Sequence, residues 1–124
     1  MSTNPRRVAF SATQAGLDAS LDPRFGRCSC WVILDLESGA VELLNNTDNK
    51  GAEQGAGIQA AQTVLGANVQ ALVTGHCGPK AFRVLQAAGV AVYCAEEGTV
   101  RQAAERLQAG QLPQLSQPDV ASHW

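Results

Sequence analysis

The stretch Val69-Gln-Ala-Leu-Val-Thr-Gly-His-Cys-Gly-Pro-Lys-Ala81 decides the fold. It opens on the apolar run Val69–Val73, the signature of a strand covered on both faces in a parallel sheet. It crosses a short loop, Gly75-His-Cys-Gly78, and enters a helix with proline at its first position. That helix spans Pro79–Ala88 and stops at Gly89. A second buried run, Val90–Ala95, follows. Thr99–Ala109 is a further helix, opened by a capping box of Thr99 and Gln102. Strand, helix, strand, helix is the pattern of parallel βα units.

Upstream, Glu53–Gly66 reads as a helix with Ile58, Ala61 and Leu65 on one face. Gly55 and Gly57 each weaken its first turn by about 1 kcal/mol relative to alanine, which suggests a close backbone contact. Arg7–Ala12 is a short strand. Gln14–Arg27 has loop composition. Cys28–Leu36 and Ala40–Leu44 form a hairpin around Ser38-Gly39. The order β-β-β-α-β-α-β-α predicts an α/β fold: a mixed five-stranded sheet flanked by helices, in the ribonuclease H-like three-layer arrangement with strand order 3-2-1-4-5. Residues 1–110 form the domain. Residues 111–124, rich in Gln, Ser and Pro, are expected to be a loosely docked or disordered tail.

Composition bounds the function. The chain has 124 residues, one domain's worth. Its formal net charge of -2 argues against non-specific nucleic-acid binding. No apolar run approaches the roughly 18 residues that span a bilayer. Val8–Phe10, after Arg6-Arg7, is too short for a signal h-region, so a cytoplasmic protein is expected. Four cysteines in such a chain are core residues, metal ligands or reactive thiols rather than a disulfide framework.

Open sheets bind ligands beyond the carboxyl ends of their parallel strands, where strand order reverses. Here that point lies between the first and fourth strands. Loops 13–27, 45–57 and 74–78 exit at this edge, and Cys28, Cys30, Cys77 and Cys94 fall there too. Cys28 and Cys30, two apart in a strand, should share a face. They could share a soft metal such as Cu(I) or Zn(II), or be core residues beneath a helix. Gly75-His76-Cys77-Gly78, a helix N-terminus and Lys80 together describe an anion site. Arg24 and Arg27 in the facing loop add positive charge. An enzyme is not expected. The first strand offers no carboxylate, Asp35 lies at the far end of the second, and no nucleophile-elbow motif occurs.

Asp22-Pro-Arg-Phe-Gly-Arg-Cys28, Gly55-x-Gly57 and Thr74-Gly-His-Cys-Gly-Pro-Lys-Ala81 resemble, in this order, the dinitrogenase iron–molybdenum cofactor biosynthesis family. The resemblance covers roughly residues 6–108. It implies a non-catalytic carrier of a metal–sulfur cluster, working in an anaerobic cytoplasm. A stand-alone chain with a C-terminal extension most resembles members that carry a sulfide-bridged molybdenum–copper cluster. The cofactor-binding residues implied are Arg24, Phe25, Gly26, Arg27, Gly55, Gly57, Gly75, His76, Gly78 and Lys80, with Cys28, Cys30 and Cys77 lining the pocket or ligating metal. A monomer is expected. The partners implied are nucleotide-binding ATPases of the division-site type, with no nucleic acid and no membrane. The alternatives are a Cu(I) or Fe–S chaperone with direct cysteine ligands, a carrier of an Fe–Mo cofactor precursor, and a metal-free interaction module.

Overall fold

The computed structural model describes residues 6–46 and 56–115. Strand β1 (Arg7–Ala12) is central. It pairs antiparallel with β2 (Cys30–Asp35) and parallel with β4 (Ala71–Thr74). β3 (Val41–Asn45) adds to β2 as a hairpin, and β5 (Ala91–Cys94) adds parallel to β4. The expected order 3-2-1-4-5 is therefore present, but the sheet has six strands rather than five. The sixth, β6 (Gln114–Leu115), pairs antiparallel with β5. It is anchored where the Cys94 amide donates to the Pro113 carbonyl at 2.9 Å. Two residues are too few to show alternation, and the surrounding Gln and Pro hid the strand.

Period-two alternation distributes the side chains to two cores. Ala9, Trp31, Ile33, Leu72 and Val92 pack against α1 (Ala56–Leu65) and α2 (Pro79–Ala87). Val8, Phe10, Val32, Leu34 and Val73 pack against α3 (Val100–Gln108). Helices thus cover both faces. α3 begins with the expected capping box: Thr99 accepts from the Gln102 amide and the Gln102 side chain accepts from the Thr99 amide.

The hairpin's first strand starts later than expected. Phe25–Arg27 forms a turn of 3-10 helix that ends at Cys28, so extended pairing begins only at Cys30. Among the described residues no helix is long and apolar enough to cross a membrane.

Candidate functional site

The carboxyl ends of β1 and β4 are joined by side chains. The buried Ser11 hydroxyl donates to the Asp22 carbonyl at 2.6 Å and lies 2.9 Å from the Thr74 hydroxyl. Beyond them the loops after β1 and β4 run side by side. The His76 amide donates to the Pro23 carbonyl at 2.6 Å, and the Phe25 amide donates to the His76 carbonyl at 3.3 Å. These bonds make a short parallel bridge between Arg24 and His76. Gly75 is required for this approach: a Cβ there would sit 2.6 Å from Pro23 Cβ and 2.7 Å from Pro23 Cα.

Asp22 is the buried anchor of the first loop. Its Oδ1 accepts the Arg24 amide at 3.0 Å and Arg24 Nε at 3.3 Å, and its Oδ2 takes Arg24 Nη2 at 3.4 Å. The carboxylate turns the chain and holds an exposed guanidinium at the rim. An Asp whose side chain bonds the amide two residues on is an Asx-turn, legible in Asp22-Pro-Arg24 once its burial is known. Asn46, fully buried, closes the other side. Its Nδ2 donates to the Gly26 and Cys28 carbonyls at 3.3 and 2.8 Å, while its Oδ1 has no partner among the described residues.

The expected site residues largely converge. Arg24, Phe25, Gly26 and Arg27 form the turn that meets Gly75 and His76. Phe25 is buried, Arg24 exposed and Arg27 half-buried. Gly78 is the N-cap of α2, and Lys80 is exposed in its first turn. The same turn packs against α1, of which Gly57 is the second residue. Gly55 lies outside the described residues, as does most of the 45–57 loop. His76 Nε2 lies 2.9 Å from Glu96 Oε1, a contact that sequence separation concealed.

The cysteines require a correction. Cys28 and Cys30 do not share a face: Cys28 packs in the core under α1 and α2, and Cys30 in the core under α3. The intervening chain is leaving the 3-10 turn, so the strand alternation that would pair them does not reach Cys28. Cys77 is buried in the same core as Cys28. Cys94 is half-buried at the end of β5, its thiol 3.4 Å from the Gly75 carbonyl. Burial pushes the Cys28 thiol far above its ordinary range, and the charges of Asp22 and Cys30 add to this. Burial, then Asp22, also raise Cys30. Among the described residues no three or more His, Cys, Asp or Glu side chains are grouped to hold a metal ion. The arrangement is a cationic, glycine-bearing rim over an apolar wall that includes buried thiols.

Comparison with known proteins shows what the chain is similar to. A family model for the dinitrogenase iron-molybdenum cofactor matches residues 6–110. The apo orange protein of Desulfovibrio gigas is 42% identical, with a TM-score of 0.90 over 93% of this chain and 97% of that one. An NMR structure from Thermotoga, of a candidate NifB protein in the DUF35 family, is 34% identical with a TM-score of 0.80. It covers 92% of this chain and 97% of that one. An uncharacterised protein of Methanocaldococcus jannaschii is 30% identical over 95 residues, 74% of this chain and 80% of its own. The match runs through β1, the Asp22–Cys28 turn, the Gly75–Lys80 loop and α3, and the chain belongs to the dinitrogenase iron–molybdenum cofactor family.

Proposed function

We propose that this protein is a non-catalytic carrier of an anionic metal–sulfur cluster, held at the rim built by Arg24–Arg27 and Gly75–Lys80. The observation that carries the reading is the backbone bridge between Arg24 and His76. It brings a guanidinium, glycine amides and a helix N-terminus to the point where strand order reverses. The structural likeness to the orange protein supports the same reading. The cargo we favour is a sulfide-bridged molybdenum–copper cluster, on a ribonuclease H-like scaffold in the cytoplasm, with nucleotide-binding ATPases as protein partners.

The donor set fits such a cargo. A cluster that brings its own sulfides has its soft metals satisfied and carries negative charge. Thiols held protonated by burial are poor metal ligands, because the thiolate is the ligand. We therefore assign Cys28 and Cys77, buried in one core, to the apolar wall behind the rim, Cys30 to the opposite core, and the anion to charge and amides.

Anaerobic reconstitution with tetrathiomolybdate and Cu(I), followed by desalting, tests this. The expected result is a coloured protein with sulfide-to-molybdenum charge-transfer bands, retained when Cys28, Cys30 and Cys77 are replaced by Ser singly. Colour lost from a folded cysteine variant would assign direct ligation instead. No retained colour or metal in the parent protein would overturn the carrier reading.

A further inference from the structure

Trp31 is fully buried in the core beneath the Phe25–Arg27 turn, yet among the described residues its indole N–H has no hydrogen-bond partner. Buried polar side chains are nearly always paired, so an orphaned donor calls for a reason. Its position supplies one. Trp31 is the second residue of β2, one residue from the end that carries Cys30. Its ring lies against Phe25 at 5.7 Å between centroids, tilted by 46°. Phe25, Cys28 and Cys77 share its core, and Phe25 is the residue whose amide reaches His76. The Trp31 ring therefore packs directly against the turn that carries the cationic rim.

We propose that the Trp31 indole N–H is a binding donor for a sulfide of the anionic cluster, reached when the Phe25 ring swings off Trp31 while the Arg24–His76 backbone bridge stays closed. This rests on the carrier reading and names a residue that charge alone does not select. An indole N–H donates, accepts nothing and holds its proton, so it suits an anionic acceptor. Hydrogen bonds to charged acceptors are stronger than neutral ones, and a dry surrounding strengthens them further. The arginines attract the anion through a field that salt screens. The buried N–H acts at contact distance and is screened far less. The competing occupant is a water bridging Trp31 Nε1 and the orphaned Asn46 Oδ1.

The test uses the full chain with Trp124→Phe, leaving one indole to observe. The 15N-labelled protein is loaded anaerobically with tetrathiomolybdate and Cu(I). The expected result is a downfield shift of the Trp31 indole proton. Trp31→Phe should lower affinity about tenfold or more, at both low and high salt. The urea midpoint of the metal-free variant is read alongside, so that the cavity left by the smaller ring is separated from loss of the donor. A resonance unshifted on loading, as a bridging water predicts, would overturn the inference, as would wild-type affinity in Trp31→Phe. Should Trp31→Phe not fold, the indole shift in the Trp124→Phe protein decides alone. Uptake with no shift overturns this inference only; no uptake by the parent removes the carrier reading and this inference together.

Discussion

At the scale of single residues, the site depends on one absent methyl group and one buried carboxylate. Gly75→Ala would drive a Cβ to 2.6 Å from Pro23 Cβ, against backbone that cannot yield cheaply. We expect a destabilisation of about 1–3 kcal/mol by urea denaturation, with loss of cluster uptake, because the Arg24–His76 bridge must open. Arg24→Ala with Arg27→Ala removes two positive charges from the rim. Uptake of the thiomolybdate–copper cluster should fall at low salt, and the gap from the parent protein should narrow as ionic strength rises. Unchanged uptake at low salt would deny these arginines a charge role. The thiols make a separate statement. Burial and Asp22 hold Cys28 and Cys30 as thiols, so both should alkylate with iodoacetamide more slowly at pH 8 than half-buried Cys94 in the native protein. Peptide mapping after brief labelling reads this directly, and fast labelling of Cys28 would show an open pocket.

At the scale of elements, the loops are held by the ends of strands and helices rather than by their own composition. α3 makes the second core with Val100, Ala103 and Ala104 and contacts the first loop through its N-terminus. The Val100 and Arg101 amides donate to the Ala19 and Leu17 carbonyls at 3.0 and 2.8 Å, and the Leu21 amide donates to the Gly98 carbonyl at 2.9 Å. Gly98 needs its positive φ of 98° to present that carbonyl while starting the helix. The Thr99 capping box is therefore a support for the loop leading to Asp22. Thr99→Ala should cost about 1 kcal/mol in chemical denaturation. Its effect on cluster affinity should be small if the loop tolerates a frayed α3, and larger if the cap positions Asp22. Comparing Thr99→Ala with Thr99→Ser, which keeps the capping hydroxyl, separates the two.

At the scale of the whole molecule, the end of the sheet remote from the site carries the acid-sensitive link. Asp35, last residue of β2, accepts the Ser38 and Glu37 amides at 3.0 and 2.9 Å and Arg6 Nε at 3.1 Å. The Ser38 amide leads in holding its carboxyl below the usual range, with the Glu37 amide and Arg6 adding to this against a desolvation cost. The sign follows from linkage. A carboxylate with a depressed pKa in the folded state stabilises above its unfolded pKa of about 3.9 and loses that contribution as pH falls through the folded value. Wild type should therefore lose stability below about pH 4 faster than Asp35→Asn, while uptake at neutral pH stays unchanged in both. Parallel pH-dependence in the two proteins would show that Asp35 is not the responsible group.

Much of this architecture was written locally. The run Val69–Val73, the proline-started α2, the Thr99 box and the glycines after β4 each report a neighbour within a few residues, so hydrophobic period and capping chemistry specify them. They place the Arg24–Arg27 turn and the Gly75–Lys80 loop at one sheet edge, and the motifs through them name the family. What only the tertiary structure decided depends on contacts distant in sequence. β6 exists because β5 offers an unpaired edge, which no property of Gln114-Leu115 announces. Cys28 and Cys30 fall on opposite faces because the 3-10 turn breaks the alternation. Asp22 is buried beside Ser11, whose hydroxyl bonds its carbonyl and reaches Thr74 63 residues on, Asn46 clamps carbonyls 20 and 18 residues away, and Trp31 packs among apolar neighbours with its N–H unpaired among the described residues. Local sequence determines which elements form and where charge is carried. Burial, which holds the Cys28 and Cys30 thiols protonated, is a property of everything packed around them.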